Sequence, residues 1–393
     1  MSVLNIISAI GNNKSVYPLI VRDCGIEVPS KVILTYNQNL KDSKQMAYNA
    51  TRERIIDEYG TSAIWLGGIP LMNTICDWGI KKFGCNPNVN VELYKETKEQ
   101  GIKLNIEKFK NKTPDAVKDL EKALLNKTKY QKLQAGKFVI STAIPIALTG
   151  FILPKLNFKL TEKIKEKQEK KLSENKNNNL TFKGISSTLA NMSTLNKMAV
   201  TDGGLTAGRV TTARNRYEKM EMGFKMGMMM FLNFVFPAYL AKGLDRLSEK
   251  IFKVNVNLDP KLLGKKSDKL KNIELPKENI IEYLDKNPNT AFSKLCEEYC
   301  DVKYLENRVR DPRAFVDTKK IISFRNELEK YIQELKTSKN PKYYAKKALR
   351  VKSANIIANI GISSFLLAAA LPKLTFILRK QVTGSDAEPG LLG

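Results

Sequence analysis

Residues 353–372 read SANIIANIGISSFLLAAALP, which is 20 consecutive uncharged residues between Lys352 and Lys373. Three further uncharged runs have 18, 17 and 16 residues: YGTSAIWLGGIPLMNTIC at 59–76, FVISTAIPIALTGFILP at 138–154 and MGMMMFLNFVFPAYLA at 226–241. As helices these runs would be about 24 to 30 Å long, close to the hydrocarbon thickness of a bilayer. They predict a mainly α chain and a helical membrane protein with about four apolar helices. Two of these helices are long enough to span a bilayer, and two are short for a span.

Every run contains proline near its middle or its end. These prolines are Pro70, Pro145 with Pro154, Pro237 and Pro372. Two of the runs also end in LPKLxF, at 153–158 and 371–376, which indicates a weak internal repeat unless apolar helix ends resemble each other by chance. Proline removes one helical hydrogen bond and bends the helix, and lipid tolerates this only where a neighbour satisfies the freed carbonyl group. Kinked or re-entrant helices are therefore expected.

Central helices of a soluble α protein are the alternative interpretation of these runs. Asn355, Asn359 and Ser363 recur every four residues and share one helical face, which suits a soluble protein. In a membrane the same polar stripe would face another helix and hydrogen-bond to it. Because lysine bounds three of the four runs at both ends, we favour the membrane. The side chains expected to contact it are Trp65, Leu66, Ile146, Phe234 and Leu367.

Composition excludes several kinds of chemistry. The chain has 66 basic and 40 acidic residues, a net charge of +26, and 42% hydrophobic residues, which is enough to build a core. Histidine is absent, so triads with a histidine base and HExxH zinc sites are excluded. The five cysteines include no CxxC pair, so the sequence predicts no metal site, no cofactor and no disulfide framework. Sparse cysteine favours a reducing compartment.

The excess positive charge predicts an acidic partner, such as anionic lipid headgroups or nucleic acid, bound in a salt-dependent way. The loops at 81–137, 155–225 and 242–352 carry net charges of +7, +8 and +10. All three are basic, so the positive-inside rule gives no clean orientation. We expect at least two of them on the cytoplasmic side. We also expect no secretory signal, because residues 1–14 lack a basic n-region and a long apolar stretch.

Composition also divides the chain into six segments. They are a mixed N-terminal segment (1–58), the first two apolar helices with a basic loop (59–155), a basic linker with a Gly/Arg loop and the third apolar helix (156–241), a basic helical domain (242–352), the fourth apolar helix (353–380) and a disordered tail (381–393). A helix that begins at Pro341 can continue into the fourth run. Strand-like runs at 31–36, 89–94 and 253–258 predict a minor β component.

The best local candidate for a ligand site is TDGGLTAGRVTTARNR at 201–216. Its glycines would let the backbone approach an anion, and a helix starting after Gly208 would point free amide groups at it. The predicted binding residues are Gly203, Gly204, Gly208, Arg209, Arg214 and Arg216. The ligand would be a phosphate or a lipid headgroup. A flexible linker that leads into a basic helix is the alternative, since neither a P-loop nor a GxGxxG pattern is present.

Three other clusters have structural interpretations. Cys296 and Cys300 lie four residues apart, and without histidine we expect buried, unpaired thiols rather than a metal site. The charged residues at 52–58 are typical of a helical salt-bridge face rather than an acid/base site. The arginines within 308–313 predict a solvated turn.

The sequence contains no catalytic signature, and three functions compete. The first is a non-catalytic protein embedded in or attached to a membrane, whose basic loops bind anionic lipid headgroups or an acidic protein partner, alone or as a homo-oligomer. The second is a membrane transporter of an anionic solute, although the uncharged runs contain no arginine or lysine to line a path. The third is a soluble basic helical protein that binds nucleic acid, without an RRM, KH or helix-turn-helix signature.

Overall fold

The computed structural model describes residues 3–12, 15–40, 44–95, 98–153, 156–157, 159–160, 194–211, 216–264, 270, 272–277 and 279–384. This part of the chain is mainly helical, as predicted. The helices, in chain order, are α1 (Val3–Gly11), α2 (Tyr17–Arg22, a π-helical turn at Asp23–Glu27, and Val28–Asn39), α3 (Lys44–Ala63, a π-helical turn at Ile64–Gly68, and Ile69–Lys82), α4 (Ile102–Phe109), α5 (Pro114–Leu125), α6 (Lys127–Ala147 and a π-helical turn at Leu148–Ile152), α7 (Thr194–Thr211), α8 (Arg216–Met230, a π-helical turn at Phe231–Val235, and Phe236–Phe252), α9 (Pro260–Leu263), α10 (Ile280–Lys286), α11 (Ala291–Tyr299), α12 (Thr318–Thr337) and α13 (Pro341–Phe365, a π-helical turn at Leu366–Ala370, and Leu371–Thr383).

The π-helical turns share one relation to proline. In the sequence, a proline follows two residues after the last residue of each turn, at positions 29, 70, 154, 237 and 372. A proline ring clashes with the carbonyl group four residues earlier, and a wider turn moves that carbonyl group aside. The apolar runs therefore share a local geometry as well as a sequence pattern. The turn before Pro29 adds a fifth example outside the runs.

Helices α3 and α6 lie antiparallel along their length. Near one end, Lys137 Nζ is 2.5 Å from Asp77 Oδ1. Near the other end, Asn157 Nδ2 donates a hydrogen bond of 2.9 Å to the carbonyl oxygen of Glu53. Because the two helices are antiparallel, the last residues of α3 lie beside the first residues of α6. The section between them, residues 83–126, therefore leaves the helix pair and returns to it at the same end.

Helices α8 and α13 form a second antiparallel pair. Lys352 Nζ is 2.5 Å from Asp245 Oδ2, and Arg379 Nη2 is 2.5 Å from Glu221 Oε1. The chain between these two helices likewise leaves and returns at one end. We call α2, α3, α6, α7, α8 and α13 together the bundle.

The two connecting sections, 83–126 and 253–340, pack against each other, and we call them together the cap. Gln100 Nε2 donates to the carbonyl oxygen of Val316 at 2.6 Å, and the amide of Val316 donates back to Gln100 Oε1 at 2.7 Å. Both residues are buried. The two sections therefore lie at the same end of the bundle.

The cap has apolar cores of its own. The larger core contains fully buried side chains from every cap helix after 253, among them Leu262, Leu263, Leu284, Phe292, Ile321, Leu328, Tyr331 and Leu335. A smaller core surrounds a 3₁₀ turn at Val91–Tyr94 and helix α5. Burial of apolar side chains beneath a charged surface is the packing of an ordinary soluble domain.

The predicted β component is wrong for the described residues, which contain no strand and one isolated bridge between Tyr304 and Arg310. Residues 31–36 lie in α2, and 89–94 end in the 3₁₀ turn. Residues 253–258 are irregular, although Val254, Val256 and Leu258 alternate into the cap core as strand residues would. β-Propensity reflects packing context, and no neighbouring strand is present there to pair with them.

Among the described residues, two helices are long and apolar enough to cross a membrane: Lys219–Phe252 and Pro341–Thr383. They carry the third and fourth uncharged runs. The other two runs lie in α3 and α6, which are not among these two helices. The unbroken helix from Pro341 into the fourth run is confirmed.

Some predicted segments lie outside the described residues. They include most of the linker in 156–241, at 161–193, and the tail from 385 onward. Within the predicted tail, α13 continues to Thr383 and Gly384 ends it with a φ of 71°. The division of the chain into six segments stays a prediction.

Candidate functional site

Helix α13 buries polar side chains against the bundle and exposes several large apolar ones, while Ile356, Leu367 and Leu371 are buried as well. Asn359 and Ser363 are 7% and 0% exposed, and Asn359 Nδ2 donates a hydrogen bond of 3.2 Å to the carbonyl oxygen of Pro237 in α8. On the outer side, Ile357 is 59% and Phe365 is 64% exposed. A helix in a soluble core shows the opposite arrangement. Asn359 and Ser363 therefore face a neighbouring helix.

Helix α6 repeats this arrangement. Its buried face contains the hydroxyl side chains of Ser141, Thr142 and Thr149. Each hydroxyl group donates a hydrogen bond to a carbonyl oxygen of its own helix, so these polar groups are satisfied without water. Its exposed face contains the side chains of Ile140, Ile144 and Ile152.

The most polar feature of the bundle is a cluster of charged side chains between α2 and α3. Lys31 Nζ lies 2.5 Å from Glu27 Oε1 and 3.2 Å from Glu58 Oε2. Arg54 Nη1 lies 3.2 Å from Glu58 Oε1, which confirms the helical salt bridge predicted within 52–58. Asp23 is 8% exposed on the same face of α2. Burying charges costs several kcal/mol per ion, so each charge needs the partners that this cluster supplies.

Arg22 connects this cluster to the proline-containing turn of α8. Its Nη1 and Nη2 donate to the carbonyl oxygens of Leu232 and Asn233, at 3.5 Å and 3.1 Å. In an α-helix the carbonyl group of Asn233 would accept from residue 237, but Pro237 has no N–H. The guanidinium group, 3% exposed, supplies donors at that point. Arg22 thereby satisfies backbone groups at a helix bend.

Helix α7 adds a further buried lysine. Lys197 is 4% exposed, its Nζ donates to Asn73 Oδ1 at 2.9 Å, and it lies 6.0 Å from the ring centroid of Phe138. This contact joins α7 to both α3 and α6. Buried cations are therefore present in the bundle beside the uncharged runs, rather than within them.

The predicted anion site does not form the expected loop. Residues 201–211 belong to α7, so Gly203, Gly204 and Gly208 lie inside a helix whose amide groups are already used. A Cβ atom on Gly204 would lie 2.6 Å from Cδ1 of Ile146 in α6. This glycine permits close packing of two helices, which is a structural role.

The three arginines of that prediction are placed only in part. Arg216 is exposed at the first residue of α8. The side chain of Arg209, and Arg214 entirely, lie outside the described residues. Anion binding by this segment stays a prediction.

Three of the five side chains expected to contact a membrane point into the bundle. Trp65, Ile146 and Leu367 are 5%, 7% and 1% exposed, and Leu66 and Phe234 are half-buried. They lie at the centres of the runs, but the centre of a run does not identify the outer face of its helix. The outward side chains are Leu71, Ile75, Trp78, Ile140, Ile144, Phe231, Val235, Tyr239, Ile357, Ile362 and Phe365. Membrane contact by the runs themselves stays a prediction.

Cys296 and Cys300 are buried free thiols in the cap, as predicted. A hydrogen bond with Cys300, together with burial, raises the pKa of the Cys296 thiol. In the part of the chain that the structure describes, no group of three metal-ligating side chains comes together.

The predicted solvated turn at 308–313 is wrong for its central arginine. Arg310 is 1% exposed, its Nε lies 2.6 Å from Asp285 Oδ1, and its guanidinium carbon lies 5.1 Å from the ring centroid of Phe109. Lys108 also lies 2.5 Å from Asp285 Oδ2. The arginine thus joins the two sections of the cap.

The buried charged face of α2 is the feature of the candidate site that the sequence interpretation missed. Asp23, Glu27 and Lys31 lie four residues apart and therefore share one helical face. The β-branched residues that follow Lys31 favoured a strand and hid this spacing. The chain matches no protein-family model, no curated protein and no solved structure. Its function is therefore argued from the arrangement of its side chains.

Proposed function

We propose that this chain is a non-catalytic integral membrane protein, in which the bundle lies in the bilayer and the cap lies outside it. One observation carries the proposal: the bundle buries polar side chains alongside apolar ones and exposes many large apolar side chains. In lipid, polar groups gain by facing other helices, and apolar side chains lose nothing by facing outward. In water the same arrangement would leave a large apolar surface exposed.

The contrast between bundle and cap supports this proposal. Among the described residues, the cap exposes few large apolar side chains, namely Phe83, Leu104, Leu124, Leu125 and Ile322. The bundle exposes many, on every one of its long helices that carries an uncharged run. One chain thus contains two surfaces, each suited to a different solvent.

The length of α13 fits a bilayer with a segment outside it. At 1.5 Å per residue, the helix Pro341–Thr383 is roughly 65 Å long, about twice the hydrocarbon thickness. Its first turns are basic and pack against the cap. We propose that these turns stand at the membrane surface while the uncharged run crosses it.

The cap would act at that surface. With a reducing compartment favoured by the sparse cysteines, we place the cap in the cytoplasm. The basic side chains on its surface would hold the cap against anionic headgroups or an acidic protein partner.

Transport of an anionic solute is the second candidate, because ionisable side chains buried between membrane helices often mark a pathway. The buried cations Arg22, Lys31 and Lys197 favour it. Against it, Lys31 is closely paired with carboxylates, and the cavity beside Arg22 has a volume of about 20 Å³, too small for a solute. Anion uptake into proteoliposomes that Lys31→Met abolishes would support transport.

Membrane fractionation tests the main proposal. We expect the full chain to remain in the membrane pellet after alkaline carbonate extraction and to need detergent for release. A folded monomer in the carbonate supernatant would overturn the proposal.

A matched pair of variants sharpens this test. Phe365→Lys places a charge on the outer face of the bundle, which costs about 2.5–3.5 kcal/mol at the centre of a spanning helix. Leu125→Lys makes the same kind of change on the cap, where the side chain is 83% exposed. We expect Phe365→Lys alone to reduce the membrane-inserted fraction. Equal insertion of both variants would mean that position 365 faces water.

A further inference from the structure

Two stripes of basic side chains lie on the outer surface where α8 and α13 reach the cap. On α8 the stripe consists of Lys242, Arg246 and Lys250, and on α13 it consists of Lys342, Lys346 and Arg350. In each stripe the residues are four apart, so they share one helical face. All six side chains are exposed.

The antiparallel packing brings the end of one stripe beside the end of the other. Lys352 pairs with Asp245, and Lys347 Nζ donates to the carbonyl oxygen of Phe252 at 2.8 Å. With this register, the last turns of α8 lie beside the first turns of α13. The six side chains therefore form one basic zone that extends roughly 20 Å along the two helices, with Lys250 and Arg350 near its middle, and we call this zone the collar.

The acidic residues of the same turns face away from the collar. Asp245 is buried and accepts hydrogen bonds from Lys352 and from Asn355 Nδ2, the latter at 2.9 Å. Glu249 is partly buried and lies 3.7 Å from Lys330 in α12. Carboxylates are thus paired with bases inside the protein, and the outer face of the collar keeps its positive charge.

Large apolar side chains border the collar. Tyr239 precedes it on α8 and is 71% exposed, and Ile357 follows it on α13 and is 59% exposed. Leu247 and Ile251, also exposed, each follow a base of the first stripe by one residue. A band of positive charge that begins where an apolar surface ends is the arrangement of a membrane interface.

We propose that the collar binds the phosphate groups of anionic lipids in the leaflet next to the cap. This inference rests on the proposed function and adds to it the residues and the ligand class. Lysine and arginine near a charged leaflet are attracted to it over about a Debye length, and arginine can bind phosphate through two N–H groups. The collar would fix the depth of the bundle and hold the cap close to the headgroups.

The test uses the full chain in detergent micelles. Phosphatidylglycerol is added in increasing amounts, and the midpoint of thermal denaturation is followed, because a ligand of the folded state raises it. The variant K242Q/R246Q/K250Q removes one stripe without touching a buried residue. The control K103Q/K110Q/K122Q removes the same charge from exposed positions of the cap.

We expect each collar substitution to weaken phosphatidylglycerol binding about fivefold, so that the stripe variant loses roughly a hundredfold. The control variant should bind phosphatidylglycerol less than threefold more weakly than the unmodified chain. An equal loss in both variants would mean that bulk charge alone binds the lipid, which overturns the inference. Inorganic phosphate that raises the midpoint as much as phosphatidylglycerol would also overturn it, because the site would then serve a soluble anion.

Two readouts separate this inference from the proposed function. A stripe variant that still needs detergent for release, but binds phosphatidylglycerol as tightly as the unmodified chain, refutes the collar alone. An unmodified chain that is soluble without detergent refutes the membrane assignment and the collar with it. The midpoint without lipid checks that each variant is folded.

Discussion

At the scale of single residues, buried charged side chains do most to fix the arrangement of the helices. Arg22 donates to two carbonyl oxygens of α8, and the ion pair of Arg310 with Asp285 contacts the other section of the cap through Phe109 and Lys108. A buried guanidinium group that loses its partner, or a partner that loses its guanidinium group, is strongly destabilising. Both arginines should therefore be sensitive to substitution for different reasons.

Arg310→Met should destabilise the cap by about 3–5 kcal/mol, because Asp285 is then left buried with Lys108 as its remaining base. Arg325→Met is the matched control, since Arg325 pairs with the more exposed Glu329 and should lose less than about 1 kcal/mol. The midpoint of thermal denaturation in detergent measures both. Similar losses would show that the Arg310 pair adds nothing beyond a surface ion pair.

Arg22→Met should destabilise the bundle by about 1–3 kcal/mol, because two carbonyl groups at the bend of α8 lose their donors. Arg22→Lys keeps the charge but loses the planar fork of donors, so it should recover part of the loss. Full recovery with lysine, again by thermal denaturation in detergent, would mean that charge balance with the α2 carboxylates matters and the carbonyl contacts do not.

At the scale of elements, the bundle depends on helices that approach closely at small residues. Gly203 and Gly204 lie side by side in α7, but they meet different surroundings. A Cβ atom on Gly203 would have an ordinary contact of 3.6 Å with Met230 Cε, whereas one on Gly204 would come within 2.6 Å of Ile146 Cδ1. The two glycines therefore form a natural matched pair.

Gly203→Ala should stabilise the protein by up to about 1 kcal/mol, because alanine is the better helix former. Gly204→Ala should lose that gain and destabilise, since α6 must move or Ile146 must change rotamer. The double variant with Ile146→Val removes the clashing Cδ1 atom and should restore stability. Equal effects of the two alanines on the denaturation midpoint would contradict the close approach of α6 and α7.

Sequence patterns predicted some elements better than others. The length of the uncharged run and the helix-start pattern at Pro341 were enough to predict α13, because a long helix repeats its pattern many times. Residues 31–36 were misread as a strand, since β-branched propensity there competes with interactions that the tertiary structure supplies. The π-helical turns before the prolines are a geometric response to packing and could not be derived from spacing alone.

The sequence likewise predicted some features of the candidate site and missed others. The stripe of Asn359 and Ser363 was visible in the sequence, and the structure buries it against α8. The sequence did not show which faces of α3, α6 and α8 point outward, because a run without charges has no strong polar face to orient it. The glycines of α7 resembled a phosphate-binding loop in the sequence. Only the position of Ile146 in the structure shows why residue 204 is a glycine.

At the scale of the whole molecule, the packing of the cap constrains topology. Sections 83–126 and 253–340 are joined by buried hydrogen bonds, so they must lie on the same side of any membrane. Two topologies satisfy this condition: re-entrant helices that leave all three loops on the cytoplasmic side, and four full crossings that leave 81–137 and 242–352 on one side and 155–225 on the other. The loop at 155–225 distinguishes them, and most of it lies outside the described residues.

Single cysteines at Lys110 and Lys294, each in a cysteine-free background, should react with an impermeant thiol reagent from the same side of sealed vesicles. Both positions are exposed and belong to different sections of the cap. Labelling of one from outside and the other only after permeabilisation would contradict the cap as described.

The central claim, that the outer face of the bundle contacts lipid, is tested most directly by spin labels on the protein in liposomes. Labels at Ile357 and Phe365 report on the outer face, and a label at Leu125 reports on the cap. Collision with oxygen, which dissolves in lipid, is compared with collision with a water-soluble nickel chelate. We expect oxygen to dominate at 357 and 365 and the chelate to dominate at 125. Equal access of the chelate to all three positions would contradict the claim and show that the bundle lies in water.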